Sequence, residues 1–204
     1  MIQIHTLPLG AYQTNTYIVH DSASNSCAVI DPGYEAQTIL QKVADRGLTV
    51  DAILLTHGHF DHVGAVLDIQ KATSCAIWMS QGDYSPARHP LRGMMYPLAD
   101  TTAAEINLCE EGEQIHAGGL TFTTLETPGH TWGSVCYLCG DALFSGDTLF
   151  AGSCGRTDLP GGDWATMIKS LRRLKEIEAD LRIFPGHGPS STLHTEKTTN
   201  PYLR

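Results

Sequence analysis

Short runs of apolar and β-branched residues open the chain, and polar or turn-forming residues separate them. Residues 2–6 form the first run, residues 14–19 the second and residues 27–30 the third. Pro8 and Gly10 interrupt the chain after the first run, and a polar stretch separates the other two. Runs of this length and composition are typical of strands, and connections this short favour antiparallel pairing. The opening therefore predicts a three-stranded antiparallel meander.

Helical periodicity, with apolar residues three or four positions apart, marks two longer segments. In residues 35–46 the apolar side chains share one face, and Gly47 marks the C-terminal end. In the second segment Asp163 is placed to cap a helix whose apolar stripe comprises Trp164, Met167, Ile168, Leu171 and Leu174. Two further helices are predicted, from His62 to about Lys71 and over residues 193–199.

The remaining apolar runs predict strands over residues 52–55, 75–79, 105–108, 114–116, 120–126, 134–138, 142–144 and 181–184. Each half of the chain then has several strands, a helix, and a strand that ends in a histidine-bearing loop. This repetition predicts two sheets packed face to face with helices outside, which is an α/β four-layer αββα sandwich. No linker divides the chain, so we expect one domain over residues 1–204.

Composition and charge narrow the functional classes. Of the 204 residues, 42% are hydrophobic, which is enough for a sizeable core. The net charge of -9 argues against nucleic acid as a partner, and no apolar run approaches the length of a membrane span. The six scattered cysteines and the lack of a visible signal peptide predict buried free thiols in a cytoplasmic protein. The oligomeric state stays open.

Residues 81–102 form a less regular segment that contains three prolines and several large apolar residues. One interpretation is a hydrophobic cluster beneath a long loop. The other is a flap that faces the substrate, or a contact between two copies of the chain. The sequence does not choose between them.

The densest chemical signal is Thr56-His57-Gly58-His59-Phe60-Asp61-His62, which follows the predicted strand that ends at Leu55. Four potential metal ligands, His57, His59, Asp61 and His62, lie in this one loop. Imidazole and carboxylate groups at this density are typical of a metal site. The loop predicts a metal centre between a strand and a helix.

Three more candidate ligands follow predicted strands in glycine-containing loops, namely His130, Asp147 and His187. Together the loops offer five imidazoles and two carboxylates, which exceeds the needs of one tetrahedral zinc and suits two divalent metal ions that share a bridge. A carboxylate can bridge through its two oxygens, and Asp147, alone on its loop, is a better candidate than Asp61. Zinc is the expected metal, and iron or manganese would also accept these ligands.

This arrangement of His57 to His62 with His130, Asp147 and His187 resembles the metallo-β-lactamase-fold hydrolase superfamily. The resemblance implies the αββα sandwich. It also implies that His57, His59 and His130 hold one metal, that Asp61, His62 and His187 hold the other, and that Asp147 bridges them.

Residues 146–158 and the ending Thr198-Thr199-Asn200-Pro201-Tyr202 resemble the short, single-domain branch related to glyoxalase II, the hydroxyacylglutathione hydrolases. The implied reaction is hydrolysis of a glutathione thioester such as S-D-lactoylglutathione by a hydroxide held between the metals. Asp61 would orient the attacking water and take its proton, and Arg156 would bind a substrate carboxylate. Alternatively, Arg156 forms an ion pair with Asp158.

Asp31, in the sequence Asp31-Pro32-Gly33, is either a partner that accepts a hydrogen bond from a ligand imidazole or a plain turn residue. Two rival activities also remain. Persulfide dioxygenases share the fold and a Gly-Arg-Thr-Asp stretch but use one iron, and another hydrolase of the fold would cleave a different ester or a lactone.

Overall fold

The computed structural model describes residues 1–84 and 106–204. Most of the irregular segment therefore lies outside the described residues, including Pro86, Leu91, Met94, Met95 and Tyr96. The two interpretations of that segment stay predictions.

The first sheet has six strands in the order β1 to β6, and their order in the sheet follows the chain. The strands are β1 (Ile2–Leu9), β2 (Thr14–Asp21), β3 (Ser26–Ile30), β4 (Thr49–Leu54), β5 (Ala76–Ser80) and β6 (Ile106–Cys109). The first three pair antiparallel, which confirms the predicted meander, and the last three join in parallel.

The second sheet also has six strands, in the order β14-β13-β10-β9-β8-β7. The strands are β7 (Gln114–Ala117), β8 (Leu120–Glu126), β9 (Val135–Cys139), β10 (Ala142–Gly146), β13 (Arg182–Pro185) and β14 (Ser191–Thr192). A small hairpin, β11 (Leu149–Phe150) and β12 (Ser153–Cys154), lies between β10 and the helix that follows. Only β10 and β13 pair in parallel, and the other pairs are antiparallel.

Six helices occur in the described residues: α1 (Ala36–Ala44), α2 (Phe60–Val63), α3 (Val66–Thr73), α4 (Gln81–Tyr84), α5 (Trp164–Glu176) and α6 (Leu193–Thr199). Asp163 caps α5 as predicted, because its side chain accepts a hydrogen bond from the amide of Thr166 at 2.7 Å. Trp164 does not join the buried stripe of α5, since it is 45% exposed. None of these helices combines the length and apolar character needed to span a membrane.

Three hydrophobic clusters define the layers. One packs the first sheet against α1 and α3, through residues such as Ile39 and Ile69. The second lies between the two sheets, and the third packs the second sheet against α5 through Met167 and Leu171. This order of helix, sheet, sheet and helix confirms the predicted four-layer αββα sandwich.

All six cysteines are free thiols, and five of them are buried. Cys136 packs in the cluster below α5, whereas Cys139 packs between the sheets. Their side chains point to opposite faces of β9, so the two thiols do not face each other. Core packing therefore accounts for these two cysteines despite their CxxC spacing.

The predicted helix from His62 to Lys71 is wrong in its bounds, because α2 and α3 are separate and α2 begins at Phe60. The helix is interrupted at Gly64, where a Cβ would lie 2.4 Å from the carbonyl oxygen of Gly33. Ala65 also donates its amide hydrogen to the carbonyl of Pro32 at 2.9 Å. Close packing against the loop after β3 therefore interrupts a pattern that local sequence would continue.

Candidate metal centre

Four loops at one edge of the sandwich carry the predicted ligands. His57 follows β4, His130 follows β8, Asp147 follows β10, and His187 follows β13. The structure brings all seven predicted ligands together, and six of them are buried, with His187 half-buried. A single crevice at the strand ends thus collects side chains that are distant in the sequence.

Three imidazoles form the first cluster, namely His57, His59 and His130. Nδ1 of His59 lies 3.1 Å from Nε2 of His57 and 2.8 Å from Nε2 of His130. Their ligand atoms face one another within 4.8 Å, which suits coordination of one cation.

Asp61, His62 and His187 form the second cluster. Nε2 of His187 lies 3.3 Å from Oδ2 of Asp61 and 3.3 Å from Nε2 of His62. Thr14, at the start of β2, also donates its hydroxyl hydrogen to Oδ2 of Asp61 at 3.2 Å. The second cluster therefore joins the first histidine loop to the last one.

Asp147 lies between the two clusters. Its Oδ2 is 3.4 Å from Nε2 of His130, and its Oδ1 is 3.5 Å from Nε2 of His62. Oδ1 is buried and has no hydrogen-bond partner among the described residues. The imidazole of His62 is close to this oxygen but makes no hydrogen bond with it, and a bound cation would satisfy the buried carboxylate oxygen.

A glycine is required beside this carboxylate. A Cβ on Gly186 would lie 2.2 Å from Oδ1 of Asp147 and 2.6 Å from Cε1 of His62. Because any side chain at this position would displace two predicted ligands, the glycine before His187 has a steric role.

Hydrogen bonds fix the orientation of four imidazoles through Nδ1. His57 contacts Oγ1 of Thr56 at 3.1 Å, and His62 contacts Oδ2 of Asp31 at 3.0 Å. His130 donates to the carbonyl of Arg156 at 2.7 Å, and His187 faces the carbonyl of Tyr12 at 3.3 Å. Each contact leaves Nε2 directed into the crevice, which is the usual arrangement of metal-binding histidines.

Asp31 makes two further contacts with Thr56. It accepts hydrogen bonds from the amide of Thr56 at 2.8 Å and from its hydroxyl group at 2.6 Å. The carboxylate is 1% exposed and its backbone is left-handed, with φ of 49°. Asp31 thus reaches His62 directly and His57 through the hydroxyl of Thr56.

Protonation differs between the clusters. Burial, followed by repulsion from His62, holds the pKa of His57 well below its ordinary value. Burial, with repulsion from His130, lowers the pKa of His59 to about 4. Both imidazoles are therefore neutral at pH 7 and can donate a lone pair to a metal.

The second cluster shows the opposite behaviour. Burial disfavours the charged form of His62, but the carboxylates of Asp147 and Asp31 raise its pKa to about 9. The pKa of His187 is also raised, because its hydrogen bond to Asp61 and the charge of Asp147 outweigh burial. Although burial acts against it, the hydrogen bond from His187 keeps the pKa of Asp61 well below its ordinary value.

The donor set could hold a divalent cation in each cluster, with Asp147 between them. Each cluster offers three converging donors, and the orphaned Oδ1 of Asp147 lies between them. The mixture of imidazole and carboxylate, without a thiolate ligand, suits zinc, iron or manganese.

Arg156 lies at the rim of the crevice, where its side chain forms an ion pair with Asp158. Nε and Nη2 donate to the two carboxylate oxygens, each at 2.7 Å, and both side chains are more than half exposed. The structure thus shows the ion pair with Asp158, which was the predicted alternative to a substrate contact for Arg156. Arg156 still lines the cavity, and an exposed ion pair exchanges partners at little cost.

The cavity above the clusters has a volume of about 530 Å³. Its wall beyond the predicted ligands is formed by Tyr12, Phe60, Phe150, Ser153, Cys154, Arg156 and Leu159. A space of this size holds a small molecule.

Asp83 is a residue at the site that sequence analysis missed. It is 4% exposed, and it accepts hydrogen bonds from the amide of Gly58 at 2.8 Å, the amide of Gly133 at 2.7 Å and the hydroxyl of Thr131 at 2.8 Å. Burial raises the pKa of Asp83 against the effect of these donors. The carboxylate therefore connects the two loops of the first cluster.

Asn15 has a comparable position beside the last histidine loop. Its side chain donates to the carbonyls of Pro185 at 3.0 Å and Gly188 at 2.9 Å. Neither Asn15 nor Asp83 lies in a ligand-like spacing, so no sequence signal marked them.

The sequence profile of the Metallo-beta-lactamase superfamily matches residues 9–187. The chain therefore belongs to the metallo-β-lactamase superfamily. Two curated relatives align along almost the whole chain. The hydroxyacylglutathione hydrolase GloC of Haemophilus influenzae is 34% identical, over 99% of this chain and 98% of that protein. The probable metallo-hydrolase YqgX of Bacillus subtilis is 36% identical, over 97% of this chain and 95% of that protein.

Solved structures of three similar proteins have the same fold as this chain. The B3 metallo-beta-lactamase BLEG-1 is 33% identical with a TM-score of 0.85, and it covers 100% of this chain and 99% of its own. TTHA1623 in a di-iron-bound form is 38% identical with a TM-score of 0.83, over 98% and 100% of the two chains. ETHE1 from Myxococcus xanthus is 29% identical with a TM-score of 0.82, over 98% and 83%. The superfamily and its fold are thus established. These relatives are named for different activities, so their names do not agree on one reaction.

Proposed function

We propose that this protein is a metal-dependent thioesterase that hydrolyses a glutathione thioester such as S-D-lactoylglutathione. The observation that carries the proposal is Asp147 between two clusters of three ligands, with a buried oxygen that lacks a donor. The full-length similarity to a hydroxyacylglutathione hydrolase supports the substrate class.

His57, His59 and His130 would hold one divalent metal, and Asp61, His62 and His187 would hold the other, with Asp147 shared. When bound, the two metals would supply a hydroxide nucleophile at neutral pH and polarise the scissile carbonyl. The chain contributes position, because contacts with Thr56, Asp31, Arg156 and Tyr12 fix the imidazoles before substrate arrives.

Asp61 is placed to orient the attacking water and to accept its proton. Asp61 lines the cavity, and its Oδ2 is already contacted by Thr14 and His187, so the direction of the carboxylate is fixed. The thiol that leaves has an ordinary pKa of about 8.5, so departure as a thiolate requires no strong general acid.

Arg156 would bind a carboxylate of the glutathione portion. For this it exchanges Asp158 for the substrate, and the planar guanidinium can present two parallel N–H donors to either carboxylate. The remaining wall, with Tyr12, Phe150 and Leu159, would contact apolar parts of the substrate.

The decisive experiment combines metal analysis of the purified protein with hydrolysis assays. We expect two zinc, iron or manganese ions per chain and release of glutathione from S-D-lactoylglutathione. A lactone, a simple ester and a β-lactam serve as comparison substrates. Two bound metals with turnover of a comparison substrate and none of the thioester would refute the proposed substrate and retain a hydrolase.

A mononuclear iron dioxygenase acting on a persulfide is the second candidate, and the similarity to ETHE1 is the reason to test it. One iron per chain and O₂ consumption with glutathione persulfide would favour it.

Free thiols in all six cysteines are consistent with action in the cytoplasm, which we propose as the location.

A further inference from the structure

The helix α6 and its C-cap residue carry two buried polar side chains that are not part of the metal clusters. Glu196 is 1% exposed, and Asn200, which ends the helix, is fully buried. A buried carboxylate or amide is stable only when its polar atoms have partners. The hydrogen-bond partners of these two residues therefore indicate which part of the structure they stabilise.

Both side chains bind the hairpin formed by β11 and β12. Oε2 of Glu196 accepts hydrogen bonds from the amide of Gly152 at 2.8 Å and from Nδ2 of Asn200 at 2.8 Å. Nδ2 of Asn200 also donates to the carbonyl of Ser153 at 2.9 Å and, at 3.3 Å, to that of Phe150. The tip of the hairpin is therefore held by one carboxylate and one amide from the far end of the sequence.

A third residue keeps the carboxylate in place. Ser191 donates its hydroxyl hydrogen to Oε1 of Glu196. Hydrogen bonds to a carboxylate are stronger than those between neutral groups. If the hairpin moved away, the buried carboxyl group of Glu196 would lose the amide of Gly152 as a donor, so the contact resists separation.

The same hairpin forms one wall of the cavity. Phe150, Ser153 and Cys154 line it, and Arg156 lies two residues after the end of β12. No helix of the outer layers other than α6 places a side chain against the hairpin tip in the hydrogen bonds of the described residues. Leu149, at the base of the hairpin, is held separately, because it packs in one cluster with Met167 of α5 and its carbonyl accepts a hydrogen bond from Ser145. The position of the hairpin tip therefore depends on Glu196 and Asn200.

We infer that Glu196 and Asn200 are positioning residues that hold the hairpin 149–154 in place as the substrate-facing wall of the active site. The inference rests on the proposed function only in treating the cavity as the substrate site. Neither residue touches a predicted metal ligand. Their loss should therefore weaken substrate binding more than it slows the chemical step.

The test compares Glu196→Ala and Asn200→Asp with two matched variants. Asn200→Asp removes both N–H donors and places a second carboxylate beside Glu196. Glu196→Gln keeps an oxygen for the amide of Gly152, and Thr199→Ala changes an exposed residue of α6 that bonds only within its helix. The milder Ser191→Ala loosens the carboxylate from its other side and serves if the larger changes prevent folding.

Three quantities are measured for each variant: KM and kcat with S-D-lactoylglutathione, metal content, and amide hydrogen exchange of residues 149–156. For Glu196→Ala and Asn200→Asp we expect KM to rise about tenfold or more, kcat to stay within about threefold, and exchange to accelerate. Metal content should be unchanged. Glu196→Gln should restore most of the wild-type KM, and Thr199→Ala should match wild type.

Unchanged exchange in both disruptive variants would overturn the inference, and so would faster exchange with an unchanged KM. A fall in kcat that merely follows the folded fraction, with KM constant, would indicate general destabilisation and also overturn it. If the wild type does not cleave S-D-lactoylglutathione, the proposed substrate is wrong. The exchange measurement then still decides whether Glu196 and Asn200 hold the hairpin.

Discussion

The two ligand clusters share one loop, His57 to His62, yet their electrostatic environments differ. The first cluster contains imidazoles alone, and burial makes protonation of His57 and His59 unfavourable. In the second, carboxylates surround His62 and His187 and raise the pKa of both. Residue type alone therefore does not set the charge of a site, because neighbours and burial decide it.

The different protonation of the two clusters affects how each cluster binds a metal. The first cluster presents neutral donors at pH 7, so a metal can enter without displacing a proton from His57 or His59. In the second cluster a proton must leave His62 before its Nε2 can bind a metal. We expect the affinity of the second cluster to depend more strongly on pH than that of the first.

The largest expected effect belongs to the residue that joins the clusters. Asp147→Ala removes the shared carboxylate, so we predict loss of at least one metal and a fall in kcat/KM of about a thousandfold, equivalent to about 4 kcal/mol. Elemental analysis and thioester hydrolysis provide the measurement. Asp68→Ala, at an exposed position of α3, is the control. Full retention of both metals would remove Asp147 from the bridging position.

A smaller and more selective effect is expected for Asp83→Ala. The change frees Gly58, Thr131 and Gly133 from their common acceptor, so the loops of the first cluster lose their connection. We predict that one of the two metals binds about ten- to a hundredfold more weakly while the other is unaffected. Calorimetric titration of the metal-free protein distinguishes the two sites.

Asp83→Asn should have a milder effect than Asp83→Ala, and Asp45→Ala, at the exposed C-cap of α1, should have none. Equal weakening of both metals would contradict a role confined to the first cluster.

The pH dependence of the metal-free protein tests the contrast directly. The pKa of His62 is raised to about 9, so its stabilising contribution is complete below pH 6.5 and is lost as the pH rises towards 9. The pKa of His59 is lowered to about 4, so stability is lost as the pH falls below 6.5. The free energy of unfolding should therefore be greatest near pH 6.5 and decline by about 3 kcal/mol towards either limit.

Urea unfolding in the presence of a chelator, at several values between pH 4 and 9, measures this profile. With metals bound, the alkaline decline should disappear, because the metal replaces the proton on His62. A metal-free protein that becomes more stable between pH 6.5 and 9 would show that His62 is not protonated in the folded state.

Arg156→Ala should give the smallest effect. Its side chain is exposed and, among the described residues, is paired with Asp158 alone, so Tm and metal content should not change. We predict a rise of a few-fold in KM for a glutathione thioester, since one carboxylate of the substrate loses its partner. Arg182→Ala, which breaks a comparable exposed pair with Asp141, is the control. Unchanged kinetics would remove Arg156 from the site.

Much of the architecture could be predicted because strand and helix periodicities are local properties. The meander, the capped helix α5 and the order of layers follow from such patterns. The break at Gly64 could not be predicted, because it arises from the approach of the loop that contains Gly33. Likewise, Trp164 fits the apolar stripe of α5 in sequence but lies outside the core.

The sequence by itself determined the seven predicted ligands, because imidazoles and carboxylates in glycine-containing loops after strands form a recognisable chemical pattern. Only the tertiary structure decided how they are held: Asp31 beneath His62, Asp83 between two loops, and Glu196 against a distant hairpin. These supporting contacts join residues far apart in the chain. Their geometry depends on how the two sheets and the outer helices pack, and no local pattern encodes that distance.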